Sequence, residues 1–328
     1  MTRWTLSSAL CALLFALSPA AGARAGDYPD HPVRIISDSA PGSANDVTLR
    51  LLADQFQKIW NQQVIVVNMP GAGGGISARG AATSPADGYT LYMPAASVFL
   101  ALKGAPGVAE NLPVEVPRDF APVGFVTNQP MFIGASHTLG IKTIGDLIEL
   151  ARKKPGEIAY ATTGRGRITH LTMELLQKLA GIQLQLVAYT GGPTAAMPDV
   201  VSGRVGLVLE GYAGLASAMS SNQIQSLAVA SSDRLADFPN LPTVAETIPG
   251  FAAGGWNVIV VPNGTPDPII RKVAIDLNKA IDDKDFIASM SKLGSYPKHM
   301  TPDEVRDFVQ LQQKTWRPIL EKVAKENP

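Results

Sequence analysis

Cysteine is nearly absent from the sequence. Cys11 is the single cysteine among 328 residues, and it lies in the apolar N-terminal segment. If that segment is removed on export, no thiol remains, which excludes disulfides and thiolate metal sites. A hydrophobic fraction of 46% over this length is enough to bury a large core without cross-links.

Long hydrophobic runs are also absent. The apolar stretch at residues 9–17 is too short to span a bilayer, which takes about 20 residues. It follows Arg3 and precedes Ala23-Arg24-Ala25, a pattern typical of a secretory signal peptide. The sequence therefore predicts a signal peptide over residues 1–25, cleaved near Ala25/Gly26, and an exported chain without a spanning helix.

Charged residues make up only 17% of the sequence, with no excess of either sign. Lysine plus arginine and aspartate plus glutamate number 28 each. Removal of Arg3 and Arg24 leaves 28 − 2 = 26 basic residues against 28 acidic ones. A nucleic-acid partner normally leaves a basic patch, whereas no block of like charge occurs here. We expect a small-molecule partner and no nucleic acid.

Motifs of catalysis and cofactor binding are missing as well. No G-x-S-x-G or H-E-x-x-H occurs, and the four histidines have no metal-ligand spacing. The glycine-rich turn at residues 71–75 follows a strand as a dinucleotide fingerprint does, but Ile76 takes the place of the third glycine. A tight turn beside a neighbouring segment explains it better. We predict no cofactor, no metal and no nucleophile-base pair, which argues against an enzyme.

The hydrophobic pattern predicts two α/β units. Short apolar strands alternate with amphipathic helices over residues 33–93, which implies a parallel sheet, and a second such series covers residues 143–230. After a strand at Trp256–Val261 the chain is predicted helical to its end, so we expect this tail to pack back on the first lobe. The chain then crosses between lobes twice, near residues 125–132 and 251–258, and these crossings form a hinge. The predicted lobes are residues 26–126 with 253–328, and residues 127–252.

Two strand-to-helix loops have the composition of anion sites. Residues 158–171 (IAYATTGRGRITHL) run from a short strand through hydroxyls and glycines into a helix, and residues 35–50 (IISDSAPGSANDVTLR) repeat this arrangement. The first amides of a helix have no intrahelical partner and carry the positive end of its dipole. The carboxyl ends of strands are also where open α/β sheets bind ligands. The sequence predicts two loops that face one another across a cleft, where Arg165 and Arg167 either add positive charge or face solvent.

Seven short motifs occur in an order that is typical of one family. The motifs are A-P-G with Asn45-Asp46 within residues 33–50, Asn68-x-Pro70-Gly71-Ala72-Gly73-Gly74, Ala86-Asp87-Gly88-Tyr89-Thr90, Gly164-x-Gly166 with His170-Leu171, Tyr189-x-Gly191, Leu241-Pro242-Thr243-Val244-Ala245-Glu246, and Pro262-x-Gly264-Thr265-Pro266. Each motif is weak alone, but together they resemble the Bug-type solute receptors of tripartite tricarboxylate transporters. The resemblance covers nearly the whole mature chain.

The resemblance implies an α/β, two-lobed periplasmic binding protein fold (type II-like, Venus flytrap) with two crossover segments. It further implies a periplasmic receptor, expected as a monomer, that closes on an organic carboxylate. Such a receptor delivers its ligand to a two-subunit integral membrane permease of the tripartite tricarboxylate type. One ligand carboxylate is held by the loop matching residues 161–170 and the rest by the loop matching residues 39–46, often through water. The ligand-binding residues expected on this basis are Ser39, Ala40, Pro41, Gly42, Ser43, Ala44, Asn45, Asp46, Ser97, Thr162, Thr163, Arg167, His170, Tyr189 and Glu210.

Departures from the family pattern bear on the ligand. Ser39 stands where an aromatic residue is common, so the missing ring leaves volume in the cleft wall, and Ser43 and Ala44 stand where glycines are common. Arg167 replaces a small hydroxyl residue, and Glu210 stands near a position that usually carries aspartate or asparagine. The resulting hypothesis is a ligand bulkier than a four-carbon acid, specifically an aromatic dicarboxylate such as terephthalate. The alternatives are a ligand-sensing exported receptor for a signalling partner and an exported α/β enzyme acting on a carboxylate.

Overall fold

Strands and helices alternate through most of the chain, as the apolar pattern predicts. The computed structural model describes residues 28–103 and 108–326, and the predicted signal peptide lies outside them. The strands are β1 (Val33–Ser37), β2 (Val64–Asn68), β3 (Thr90–Tyr92), β4 (Phe120–Ala135), β5 (Ala159–Thr162), β6 (Gln185–Ala188), β7 (Leu207–Gly211), β8 (Gln225–Val229), β9 (Gly254–Pro262) and β10 (Tyr296–Pro297). The α-helices are α1 (Ala44–Trp60), α2 (Gly75–Ala82), α3 (Ala96–Leu100), α4 (Ile144–Lys153), α5 (Ile168–Ala180), α6 (Pro193–Val201), α7 (Tyr212–Ser220), α8 (Asp267–Ile281), α9 (Lys284–Lys292) and α10 (Pro302–Glu326).

The strands form a mixed, continuous sheet in the order β2-β1-β3-β9-β4-β7-β5-β6. β1 is parallel to β2 and β3, and β5 is parallel to β6 and β7, so each half contains the parallel unit that the alternating pattern predicts. β4 is antiparallel to β7, β8, β9 and β10. Parallel strands joined by helices place their carboxyl ends on one edge, which is where loops form ligand sites.

β4 joins the two halves of the sheet. Residues 120–130 pair with β9, and residues 131–135 continue the same strand beside β7. The two-lobed α/β fold with two crossovers is therefore confirmed, and its crossovers are β4 and the segment that leads into β9. The lobe boundaries at residues 126 and 252 stay predictions.

Each lobe buries apolar side chains on both faces of its part of the sheet. In the first lobe Phe56 packs with strand residues on one face, and Trp256 packs with Phe99 on the other. In the second lobe, Leu171 of α5 and Leu215 of α7 lie in the two opposite cores. Each such buried side chain contributes about 1.5–3 kcal/mol, so the two cores fix the positions of the strand ends.

The C-terminal tail differs from its sequence prediction. α8 packs on the first lobe as expected, but α10 spans both cores. Val305 and Val309 lie in a core of the first lobe, whereas Trp316, Ile319 and Leu320 pack in the core that contains α5. The expectation that the whole tail packs on the first lobe is wrong, because the apolar face of α10 is long enough to reach both.

Two short elements also escape the sequence prediction. α3 has five residues, and β10 has two, which pair with β4 in a tail expected to be purely helical. Elements this short contain too few residues to establish a helical or alternating period. Both depend on tertiary contacts.

Candidate functional site

A cavity of about 300 Å³ lies between the two lobes. Its walls include parts of the loop after β1 (residues 38–40, 43 and 45), residues 70–74 after β2 and parts of the loop after β5 (residues 163–165 and 167–169), together with residues of β4 and β7. This volume is at the lower end of small-molecule sites, which run from about 300 to 1,000 Å³. The cavity therefore suits a small ligand reached by loops of both lobes.

The loop between β1 and α1 is held by its own side chains. Ser43 is the N-cap of α1, and its hydroxyl accepts a hydrogen bond from the Asp46 backbone N–H. The Asp46 carboxylate accepts hydrogen bonds from the Gly42 N–H (2.9 Å), the Asn68 amide (2.8 Å) and Arg50 Nε (3.0 Å). Burial alone would raise the pKa of Asp46, but these donors outweigh it and lower that pKa. Asp46 thus holds the loop in shape, and it does not line the cavity.

The loop between β5 and α5 is built differently. The N-cap of α5 is Arg167, which makes no side-chain capping bond, and no acidic residue lies in the first turn. The Thr169 hydroxyl hydrogen-bonds with the hydroxyls of Thr162 (2.8 Å) and Thr163 (3.1 Å) and fixes the loop before the helix. Ile168 and Thr169, the first two helical residues, line the cavity. The first turn of α5 therefore brings amides without intrahelical partners to the cavity wall.

Arg167 extends from this loop to the first lobe and pairs with Asp38. Its Nη1 donates to Asp38 Oδ2 and, at 3.3 Å, to the carbonyl oxygen of Gly73. The Asp38 side chain is fully buried, and its Oδ1 accepts a hydrogen bond from the Ala95 N–H at 2.7 Å. A β-carbon on Gly74 would lie 3.0 Å from Asp38 Oδ2, so glycine lets the backbone approach the pair. Arg167 does line the cavity, but its guanidinium already has a carboxylate partner in the protein.

Glu210 is a second buried acid in the wall. The residue is 6% exposed, and its Oε1 accepts a hydrogen bond from the Gly211 N–H at 3.0 Å. Burial raises the pKa of Glu210 to about 7, although the Gly211 N–H and the positive charge of Arg167 act in the opposite direction. A carboxyl group that titrates near neutral pH inside a cavity is a candidate functional group.

The two lobes touch at the rim of the cavity. A β-carbon on Gly211 would lie 2.5 Å from the β-carbon of Ala44, and one on Gly192 would lie 3.0 Å from that of Ala40. Both positions need a residue without a side chain because backbone from one lobe meets a side chain of the other. The structure therefore has the lobes closed around the cavity.

The structure brings seven of the predicted ligand-binding residues into the cavity wall. They are Ser39, Ala40, Ser43, Asn45, Thr163, Arg167 and Glu210. It places the other predicted residues outside the wall, although most belong to the same two loops. These are Pro41, Gly42, Ala44, Asp46, Ser97, Thr162, His170 and Tyr189.

Several of the residues outside the wall have partners that explain their positions. The Tyr189 hydroxyl donates to Asp199 Oδ2 at 2.5 Å, away from the cavity. His170 is buried, and its Nδ1 accepts a hydrogen bond from the Gly166 N–H at 3.0 Å. His170 therefore supports the shape of the loop that precedes α5.

The wall also contains residues that the sequence prediction missed. Asp38 follows the end of β1 directly, so its position at a strand end was a usable signal. The sequence predicts only a tight turn at residues 71–75, yet residues 70–74 form a third side of the cavity. Gln129 and Met131 lie within β4 and carry no local signal, because strand residues face a cleft only once two lobes are assembled.

Metal binding and membrane insertion have no support in the described residues. Within residues 28–103 and 108–326, no group of three or more His, Cys, Asp or Glu side chains is arranged to hold a metal ion. No helix in this part of the chain is both long and apolar enough to cross a bilayer.

Comparison with protein sequences gives a consistent set of relatives. The family described as tripartite tricarboxylate transporter family receptor matches residues 48–325. Protein BugT of Bordetella pertussis is 33% identical over 303 residues, which cover 92% of each chain. A UPF0065 protein of Agrobacterium vitis is 35% identical over 274 residues, which cover 82% of this chain and 77% of the relative.

Solved structures with the same fold include ligand complexes. The periplasmic binding protein BugD is 29% identical with a TM-score of 0.81, covering 90% of this chain and 98% of its own. An R. palustris protein solved with adipate is 25% identical with a TM-score of 0.83 and the same coverage. MatC from Rhodopseudomonas palustris with bound malate is 25% identical with a TM-score of 0.78, covering 89% of this chain and 100% of its own.

Proposed function

The chain belongs to the tripartite tricarboxylate transporter receptor family, and we propose that it captures a small organic carboxylate between its two lobes in the periplasm. It then delivers this ligand to a membrane transporter of the tripartite tricarboxylate type. The matched family is one of receptors and the solved relatives include a periplasmic binding protein, so the enzyme alternative falls away. The two-subunit permease and the monomeric state stay predictions.

The observation that carries the proposal is the first turn of α5 in the cavity wall. Its N-cap residue Arg167 supplies no capping acceptor, and its first turn contains no acidic side chain. Amides at such a position stabilise an anion by hydrogen bonding and by the helix dipole. The adipate and malate bound to two structural relatives are anions of this kind.

The experiment removes one amide of this turn without removing the helix. Ile168→Pro deletes the N–H of the first helical residue, where proline is well tolerated. Arg167 before it already has the extended backbone (φ −72°, ψ 156°) that a residue before proline adopts. Ile168→Ala is the matched control, because it shortens the side chain and keeps the N–H. A lost charge-assisted hydrogen bond costs about 1.5–3 kcal/mol, so the proline variant should bind the carboxylate at least tenfold more weakly than the alanine variant.

The ligand is found first by thermal shift over aliphatic and aromatic mono- and dicarboxylates, followed by calorimetric titration. We expect one-to-one binding of an unchanged carboxylate, because ligand binding to the folded state raises the melting temperature. Equal affinities of the two Ile168 variants, or no binding by any carboxylate, would contradict the proposal.

The finer hypothesis from the sequence is a dicarboxylate, with terephthalate as the specific candidate. Replacement of an aromatic residue by Ser39 in the wall supports room for a ring. The sequence predicts that Arg167 adds a cation close to the ligand carboxylate, but its charge is balanced by Asp38. Terephthalate stays a prediction that the same titration tests. Succinate or citrate bound tightly with no aromatic ligand would overturn it.

A further inference from the structure

Glu210 lies beside the loop that is taken to hold the ligand carboxylate. β5 is parallel to β7 with Ala161 opposite Val208, and continuing this register by two residues places Thr163 level with Glu210. Ala161 and Val208 pack in one core, so the alternation of side chains puts Thr163 and Glu210 on that same face. Neighbouring strands are about 4.8 Å apart, and the Thr163 hydroxyl hydrogen-bonds with that of Thr169 in the first turn of α5. A carboxylate bound at this turn would therefore lie near Glu210.

The Glu210 carboxyl has few partners in the protein. Its Oε1 accepts a hydrogen bond from the Gly211 N–H at 3.0 Å, and no other donor in the described part of the chain reaches the carboxyl. Phe132 is its cross-strand neighbour on β4. A β-carbon on Gly214 of α7 would lie 2.7 Å from Glu210 Cγ and 3.0 Å from Cγ of Pro193 at the start of α6. These neighbours on β4, α6 and α7 are uncharged, so none of them compensates a negative charge on Glu210.

The charges of the cavity wall balance before a ligand arrives. Among the described residues, the ionisable side chains that line the cavity are Asp38, Glu210, Arg165 and Arg167, two of each sign. Arg167 is paired with Asp38, and its charge acts on Glu210 less strongly than burial does, because the pKa of Glu210 is raised to about 7. A ligand carboxylate adds a further negative charge. Two like charges within about 4–6 Å disfavour each other, so a bound carboxylate favours the neutral form of Glu210.

We propose that the receptor takes up a proton together with its ligand, because a carboxylate bound at the first turn of α5 causes the ionised Glu210 carboxyl to become protonated. The proton comes from solvent and forms an O–H bond at Oε2, since Oε1 accepts the Gly211 N–H. The carboxyl thereby changes from a like charge into a hydrogen-bond donor beside the ligand. This inference rests on the proposed function, which places the ligand carboxylate at α5.

The pH range of the effect follows from the ligand-free protein. Because the pKa of Glu210 is raised to about 7, its carboxyl is mostly ionised at pH 8 and mostly protonated below pH 6. Ligand binding should therefore take up a proton at pH 8 and almost none at pH 6. By linkage, ligand affinity should fall as the pH rises above 7.

The test uses whichever of succinate, malate, adipate and terephthalate binds most tightly. All four are fully ionised at pH 8, so a proton taken up there goes to the protein. Calorimetric titrations in phosphate and in Tris, which differ in heat of ionisation, give the number of protons. We expect roughly 0.5–1 proton per ligand at pH 8, about 0.1 at pH 6, and a Kd that rises about three- to fivefold between pH 7 and pH 8.

Two variants assign the proton to its site. Glu210→Gln keeps an oxygen for the Gly211 N–H but cannot ionise, so it should abolish the proton uptake at pH 8 and the dependence of Kd on pH. Glu157→Gln is the matched control, because Glu157 is exposed and lies outside the wall, and it should retain both. Circular dichroism with thermal melting checks folding. Infrared difference spectra at pH 8 should show a protonated carboxyl appearing when ligand binds the wild type.

The outcomes separate this inference from the proposed function. Ligand binding to the wild type at pH 8 without proton uptake would overturn the inference while the proposed function stands, and this measurement needs no variant. Proton uptake that Glu210→Gln leaves unchanged would overturn it as well. Absence of binding by every carboxylate would instead overturn the proposed function and this inference with it.

Discussion

The loops that precede α1 and α5 face each other across the cavity, but only the first of them caps the N-terminus of its helix with side chains. Before α1, Ser43 caps the helix, and the Asp46 carboxylate in the first turn accepts a hydrogen bond from the Gly42 N–H. Before α5, Arg167 leaves the first turn without a side-chain acceptor. A negative side chain already stabilises the first helix end, so a ligand anion gains less there. Two loops of similar composition therefore differ in function: one is satisfied internally, and the other is open to a ligand.

The largest expected effect comes from breaking the ion pair that joins the two loops. Arg167→Ala leaves Asp38 buried without its cation in the closed state, which costs about 3–5 kcal/mol when a buried pair is broken. The open form relieves this cost by hydrating Asp38, so ligand affinity should fall by about 100-fold or more in calorimetric titration. Small-angle scattering of the ligand-free variant should show a larger radius of gyration than the wild type.

The control for this prediction removes both charges. Asp38→Asn with Arg167→Gln removes both members of the pair and leaves no unpaired charge at this position, so the double variant should recover most of the lost affinity and the compact radius. If the double variant binds as weakly as Arg167→Ala, Arg167 contacts the ligand directly. That result would favour the sequence-based expectation that Arg167 is a ligand-binding residue.

A smaller effect is expected from Asp46, which supports the loop on the first lobe. Asp46→Ala removes the acceptor for the Gly42 N–H, the Asn68 amide and Arg50, so the free energy of unfolding should fall by about 2–3 kcal/mol at pH 7. Urea denaturation measures this difference. Arg50→Ala, which removes the donor whose side chain is half exposed, should cost less than half as much.

The effect of Asp46 also depends on pH in a defined direction. Its donors lower its pKa below the unfolded value near 3.9, so its stabilising contribution is complete above that value. It is lost as pH falls through the lowered folded pKa. The stability curves of the wild type and Asp46→Ala should therefore converge in acid, and a constant difference down to the lowest measurable pH would contradict the assignment.

The cap of α1 should matter less than Asp46. Ser43→Ala removes the hydroxyl that accepts the Asp46 N–H and should lower the free energy of unfolding by about 1 kcal/mol. Ser43→Asp, which restores a capping acceptor, should recover most of the loss in the same urea titration. A loss in Ser43→Ala as large as that in Asp46→Ala would show that the cap itself holds the loop.

The smallest effect is expected from the outer support of the α5 loop. Lys322 Nζ lies 3.3 Å from Glu174 Oε2, and Glu174 Oε1 lies 3.5 Å from His170 Nε2. The Lys322 side chain is about one-third exposed, so Lys322→Ala should lower the free energy of unfolding by only about 0.5 kcal/mol. Lys314→Ala, also on α10, is the matched surface control. A loss above about 2 kcal/mol would show that Lys322 stabilises the α5 loop more than a partly exposed ion pair can.

Local signals predicted those features that depend on neighbouring residues. The sequence Thr143-x-x-Asp146 predicts a capping box, and in the structure these two residues cap the N-terminus of α4 reciprocally. The glycine after Ala180 ends α5. The two cleft loops were also recognised from composition, because hydroxyls and glycines at strand ends have one common use in α/β proteins.

The rest depends on distant parts of the chain. The pairing of Arg167 with Asp38 joins residues 129 positions apart, and neither side chain alone indicates its partner. The apolar run at residues 205–209 predicts a strand that ends at Leu209, whereas β7 continues through Glu210 and Gly211 beside β4. That extension places Glu210 in the wall, and it arises from pairing with another strand instead of from local propensity.

α10 gives the hinge a third member besides its two crossovers. The helix passes from the core of the first lobe at Val309 to that of the second at Trp316, and Pro318 lies just beyond this passage. Proline removes one backbone hydrogen bond to the preceding turn and makes a helix easier to bend there. If the lobes separate, we expect the first part of α10 to stay on one lobe and the last part to follow the other, so that bending of this helix near Pro318 sets how far the cleft opens.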